Sequence, residues 1–126
     1  MNNVRLNHDC IRDILLYVED NTTYENSIVE AESLISDMKS KYNEDMINYH
    51  IAQLDDAELL SGVEYSDDAP ECIYKLSWKG HQYIDNIRDN KVWSKLKDMS
   101  KSLASVSLPV LIEKAPDIAK LFLSNS

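Results

Sequence analysis

Ile11, Ile14, Leu15 and Val18 recur at the i, i+3, i+4, i+7 spacing of a single buried helix face, so "NHDCIRDILLYVEDN" reads as an amphipathic helix. Asn7 stands where its side chain can cap that helix, and Asp9 falls in the first turn, where the helix dipole favours an acid. "NTTYEN" is turn-like, and a short extended piece from Ser27 to Val29 follows. The helical period then returns in "EAESLISDMKSKY", where Ala31, Leu34, Ile35, Met38 and Tyr42 share a face and Lys39 and Lys41 suit a last turn. Asn43 interrupts the pattern and can cap a third helix, in which Ile47, Ile51 and Leu54 form the buried row with Met46 and His50 beside it.

Beyond Leu60 the period changes from 3.6 to 2. "LLSGVEYSDDAPECIYKLSW" reads as strand, loop, strand, with Ser66, Asp67, Asp68 and Pro70 in the turn. Alternation puts Cys72, Tyr74, Leu76 and Trp78 on one side of the second strand and Ile73, Lys75 and Ser77 on the other. Ser77 can end the strand and cap a helix, "WKGHQYIDNIR", whose core side is Tyr83, Ile84 and Ile87. A further helix from about Lys91 holds Val92, Trp93 and Leu96, and "KSLASVS" reads as a loop. The tail "LPVLIEKAPDIAKLFL" is apolar on nearly all sides. Pro109 suits a first turn, and Pro116 predicts a break near Ala115. Such a tail needs a burying surface, and a second copy of the chain is one candidate, through Leu108, Leu111, Ile112, Ile118, Leu121 and Phe122. A membrane-surface role is disfavoured, because Lys114 and Lys120 alone supply positive charge there.

The order is helix, short strand, helix, helix, strand, strand, then more helices. That is an α+β, mostly α arrangement of the winged helix-turn-helix kind, with the β-hairpin as the wing and a C-terminal helical extension. Residues 1–90 are expected to form the winged-helix domain and residues 91–126 the extension, within one compact unit. "YKLSWKG" is similar to the Y-x-L-[ST]-x-x-G sequence at the wing-to-helix junction of many winged-helix proteins. Gly80 there would allow a close backbone approach. The chain also resembles an uncharacterised family of phage and prophage proteins catalogued as a domain of unknown function. The resemblance rests on Tyr49-His50 inside the third helix, on Leu76 to His81, on the Arg88-Asp89-Asn90 link to Trp93, and on the apolar C-terminal helix. That family usually has Gly before the final apolar pair of the third helix, whereas this chain has Glu58 before Leu59-Leu60. A turn shifted towards Gly62 is the expected consequence. The resemblance implies a mobile-element origin and a winged-helix fold, and it implies no activity.

Charge narrows the function classes. The net charge is −9, made of −12 over residues 1–87 and +3 over residues 88–126. No Lys or Arg lies between Lys41 and Lys75, so the third helix has nothing to neutralise phosphates, and the wing tip "SDDAPE" is acidic. Asn48 and Gln53 could read adenine, but DNA binding through this helix would have to overcome that repulsion. A protein partner is therefore favoured, met by an acidic face of Asp45, Asn48, Tyr49, Gln53, Asp55 and Asp56. The partner could be a host or phage nucleic-acid-handling protein that the acidic face inhibits. The alternatives are a dimeric assembly module and a DNA-binding regulator using Lys79, Arg88, Lys91, Lys95 and Lys97.

Catalysis is not expected. Two glycines, Gly62 and Gly80, cannot make a phosphate loop or a dinucleotide fingerprint. His8, His50, His81, Cys10 and Cys72 lack zinc-ligand spacing, and adjacent Asp pairs on a helix point apart. Neither a metal nor a cofactor is expected. His50 and His81 read either as hydrogen-bonded fold residues, the favoured reading, or as a pH-sensitive, partner-facing pair. With two cysteines, no apolar run long enough to cross a bilayer and no secretory signal at "MNNVRLNHDC", the protein reads as cytoplasmic with reduced thiols.

Overall fold

A computed structural model describes residues 5–101 and 107–123. Among these, α1 (His8–Asp20), β1 (Ile28–Glu30), α2 (Ala31–Met38), α3 (Glu44–Asp56), β2 (Val63–Ser66), β3 (Ala69–Tyr74), α4 (Trp78–Ile87), α5 (Asn90–Lys101) and α6 (Leu108–Leu123) follow in order. The fold is α+β and mostly helical, with one antiparallel three-stranded sheet of order β1-β3-β2. The chain divides into two compact units, a first of Asn7–His81 and a second of Met1–Leu6 with Gln82–Ser126. The tail's loop "KSLASVS" falls mostly outside the described residues.

In the first unit α1 and α3 begin where their asparagine caps dictate, whereas α2 has no side-chain cap. The Asn7 side chain accepts from the Cys10 N–H at 3.0 Å, and the Asn43 side chain from the Met46 N–H at 2.8 Å. Ile11, Ile14, Leu15 and Val18 of α1 and Ile47, Ile51 and Leu54 of α3 are fully buried, and α1 packs on α3. Ile73 of the central strand completes this core, with α2 and α3 both packed on β3.

Helix α2 stops at Met38, one turn earlier than its apolar spacing predicts, so Lys39, Lys41 and Tyr42 lie beyond it; Tyr42, and Ile35 within the helix, are half-buried. Beyond it, Tyr42 donates its hydroxyl to Asp13 at 2.7 Å, and Lys41 pairs with the same carboxylate at 3.6 Å. This fastens the α2–α3 link to α1.

The β2–β3 turn is tighter than expected. Asp67 (φ 52°) and Asp68 (φ 66°) alone form it, both left-handed, as a two-residue primed hairpin turn requires. Asp tolerates that region because its short polar side chain bonds locally. Pro70 lies in β3 opposite Tyr65, and Glu71 is the extra residue of a bulge between that pair and Glu64–Cys72. β1 reaches only Cys72 to Tyr74, so Pro70 sits where β3 has a neighbour on one side alone.

Strict alternation also fails after Tyr74. Leu76 is buried and bridges to Leu60, whereas Trp78 begins α4 and is 78% exposed. Ser77 caps α4 as anticipated, accepting from the Gly80 N–H at 3.0 Å.

In the second unit α5 and α6 pack on each other. Asp89 starts α5 by accepting from the Lys91 and Val92 N–H groups at 2.8 and 3.2 Å. Pro109 occupies the first turn of α6 as expected, but the break at Ala115 does not occur: α6 runs through Pro116 to Leu123. Proline removes one N–H from the ladder without ending the helix here. Nor is α6 buried all round: Leu108, Leu111, Ala115, Ile118 and Ala119 form one buried stripe, and Glu113, Asp117 and Lys120 are exposed.

Candidate functional site

The surface of interest is built around α3, whose two ends are fixed by local chemistry. At its start, Asn43 caps the first turn, into which Glu44 and Asp45 project. At its end, the Leu59 N–H donates to the Leu54 carbonyl and the Glu58 N–H to the Asp55 carbonyl, each at 3.0 Å. This is the paired-bond Schellman termination, and it requires the intervening residue to be left-handed. Glu58 meets that requirement itself, at φ 62°, and no glycine in the chain has a positive φ. The turn therefore does not shift to Gly62.

His50 is a fold residue. Its ring is 1% exposed, and Nε2 lies 2.8 Å from the Asn7 N–H, which can only donate. Nε2 is thus the acceptor, so Nδ1 carries the hydrogen and donates to the Met46 carbonyl at 2.8 Å. The ring ties the start of α1 to α3. His81 is exposed, so the two histidines do not share an environment.

Of the acidic-face residues, Asp45 and Asp56 are exposed and Asn48, Tyr49, Gln53 and Asp55 are half-buried. Tyr49 meets the His50 ring edge-on, with centroids 5.5 Å apart. Asp55 is committed to the hairpin, accepting from the Tyr65 hydroxyl at 2.9 Å. That bond and burial raise the Tyr65 hydroxyl to about 12, burial being the larger cause.

An open groove of about 810 Å³ lies between α2, the first half of α3 and the hairpin. Glu30, Glu32, Glu44 and Glu71 all line it, with Lys39 as the one cation among its lining residues. Asn48 lines it too, and its Oδ1 is buried with no hydrogen-bond partner among the described residues. Nearby, Tyr74 donates to Glu64 at 2.5 Å. The Cys72 thiol at the groove's edge is pushed upward by desolvation and then by the carboxylates of Glu64, Glu71 and Glu30. The hairpin thus brings carboxylates distant in sequence to the side of α3. Sequence reasoning missed Glu30, Glu32, Glu44 and Glu71, because each stands in a different element and no local spacing joins them.

The first unit carries 17 Asp/Glu against 5 Lys/Arg over residues 7–81, a balance of −12. The proposed basic face is not gathered in one unit. Lys79 belongs to the first unit, where it donates to the Ala57 carbonyl at 3.1 Å, and the others belong to the second. Arg88 is paired with Asp85 at 2.8 Å. Lys91 and Lys95 are exposed one turn apart on α5, beside a shallow groove of about 400 Å³ that Phe122 also lines. Lys97 is half-buried on the same helix. Among the proposed oligomer contacts, Leu108, Leu111 and Ile118 are buried within the chain itself. Leu121 and Phe122 are 56% and 40% exposed, and Ile112 is half-buried. The buried stripe of α6 lies within this one chain, so a second copy is not needed to cover it.

No group of three or more His, Cys, Asp and Glu side chains among the described residues could hold a metal ion. Cys10 is buried, and desolvation, then the Asp13 charge, raise its thiol to about 12. No helix among the described residues is long and apolar enough to cross a membrane.

A family model described as "Hypothetical protein (DUF2513)" matches residues 5–107 of this chain. The chain belongs to the DUF2513 family. The matched span takes in α1 to α5 and the hairpin, and so the whole of the acidic groove. An uncharacterized protein of Haemophilus influenzae is 30% identical over 125 residues, covering 97% of this chain and 98% of its own length. No solved structure matches the chain.

Proposed function

We propose that this protein is a cytoplasmic, non-enzymatic winged helix-turn-helix protein of phage or prophage type. It works by binding another protein through the acidic side of α3 and the hairpin. The winged-helix reading is supported by the element order and by the β1-β3-β2 sheet, in which α3 takes the place of a recognition helix and the hairpin that of a wing. The observation that carries the functional reading is the groove between them, with four glutamates in its lining and Asn48 within it. A DNA backbone would be repelled from this side, whereas a basic protein surface would be attracted to it. The chemistry suits a partner that itself handles nucleic acid, because such a protein presents Lys and Arg where phosphates would lie. The protein would then act as an inhibitor or as an assembly factor.

Asp45 and Asp56 are exposed, so Asp45→Lys with Asp56→Lys reverses charge without disturbing the core. A partner captured from host cells by the unaltered protein should be lost by the double variant. Equal capture by both would sink the acidic-face reading.

A DNA-binding regulator is the second reading. Lys91 and Lys95, exposed one turn apart on α5, are what favours it. Those residues would then grip phosphates in place of α3.

A further inference from the structure

Trp78 is 78% exposed, and nothing its neighbours do requires an indole at that position. The two residues around it do the structural work. Ser77 donates its N–H to the Leu59 carbonyl at 3.1 Å and its hydroxyl to the Glu58 carbonyl at 2.6 Å, and its oxygen caps α4. Lys79 donates to the Ala57 carbonyl at 3.1 Å. Trp78 is therefore held between two residues that are both fastened to the end of α3. Asp56 and Glu58, at that same end, are exposed. A large, rigid aromatic side chain standing in water costs hydration free energy, and such residues are enriched among the anchors of protein interfaces.

We propose that Trp78 is the anchor of a docking site for an arginine side chain presented by the partner protein. The guanidinium would stack on the indole face and pair with a carboxylate of Asp56 or Glu58. This rests on the acidic-face reading above and extends that surface past the C-terminal end of α3. Charge selects the occupant: the unit's balance is −12 with Lys79 counted in it, and the Lys79 ammonium is held at the Ala57 carbonyl. Arginine is favoured over lysine because its planar group stacks and forks at once, whereas an ammonium is a compact, strongly hydrated point charge. A nucleic-acid base stacking on Trp78 would bring its phosphates into the same negative field.

The probes are fluorescein-labelled nona-arginine and nona-lysine peptides, titrated against the full chain by anisotropy at about 150 mM salt, where long-range attraction is largely screened. Unaltered protein should bind the arginine peptide about fivefold more tightly than the lysine peptide. Trp78→Ala should weaken arginine-peptide binding by about fivefold and abolish that preference, and Trp78→Phe should keep most of both. Circular dichroism will show whether each variant is folded. An arginine preference that survives Trp78→Ala overturns the proposal, as does equal binding of the two peptides by the unaltered protein. The two readings separate cleanly. If Trp78→Ala binds like the unaltered protein while Asp45→Lys with Asp56→Lys does not, the acidic face stands and the anchor falls. If the unaltered protein binds neither peptide, both fall.

Discussion

Glu58 sits in a conformation that costs a non-glycine residue about 1 kcal/mol, and the Schellman bonds at the end of α3 hold it there. Glu58→Gly should relieve that strain while its carbonyl still accepts from Ser77. A gain of about 1 kcal/mol, or about 4 °C in Tm, is expected by thermal denaturation. A loss of stability would mean that the Glu58 side chain contributes something its exposure does not reveal. This position also marks what the sequence could and could not show. The missing glycine was legible from the residues flanking Leu59-Leu60. That the glutamate would accept the strain instead of passing the turn to Gly62 was not, because two backbone bonds to Leu54 and Asp55 decide it. His50 teaches the same lesson. Its place beside the apolar row was readable, but its acceptor role needed Asn7, 43 residues away, to be in position.

At the scale of elements, the local signals served well and the non-local ones did not. Asn7, Asn43 and Ser77 cap their helices because capping is settled within three residues. The β1-β3-β2 order and the exposure of Trp78 depend on contacts across the fold, although its place at the start of α4 was readable from the Ser77 cap. The join between α4 and the α3–β2 link depends on Gly80. A Cβ placed there would meet the Leu59 carbonyl oxygen at 2.0 Å, an immovable backbone atom. Gly80→Ala should therefore cost about 3 kcal/mol, read from urea unfolding. An unchanged midpoint would show that this join is looser than its geometry. Pro116 is the reverse case: a residue that breaks helices on average lies inside α6, where the buried stripe from Leu108 to Ala119 outweighs one lost bond.

Across the whole molecule, tyrosine–carboxylate bonds stitch elements together, Tyr17 to Asp37 at 2.5 Å and Tyr65 to Asp55 at 2.9 Å among them. Burial first, and then the bonded carboxylate, raise each of these two hydroxyls to about 12. A folded value above the unfolded one, about 10, means the contribution is complete below pH 10 and is lost as pH rises towards 12. The urea midpoint should fall between pH 9 and pH 11.5, and fall less in a Tyr17→Phe, Tyr65→Phe variant. Identical declines would remove these bonds from the explanation. The acidic character of the protein was plain from composition, but the groove was not, because Glu30, Glu32, Glu44 and Glu71 meet only when the hairpin folds beside α3. On the reading proposed above, this surface meets protein and not DNA. The direct test is anisotropy of a mixed-sequence DNA duplex titrated with the full chain at low salt, followed by a salt titration. No binding is expected even at the lowest salt. Binding that weakens steeply as salt rises would contradict it and move the working surface to Lys91 and Lys95 on α5.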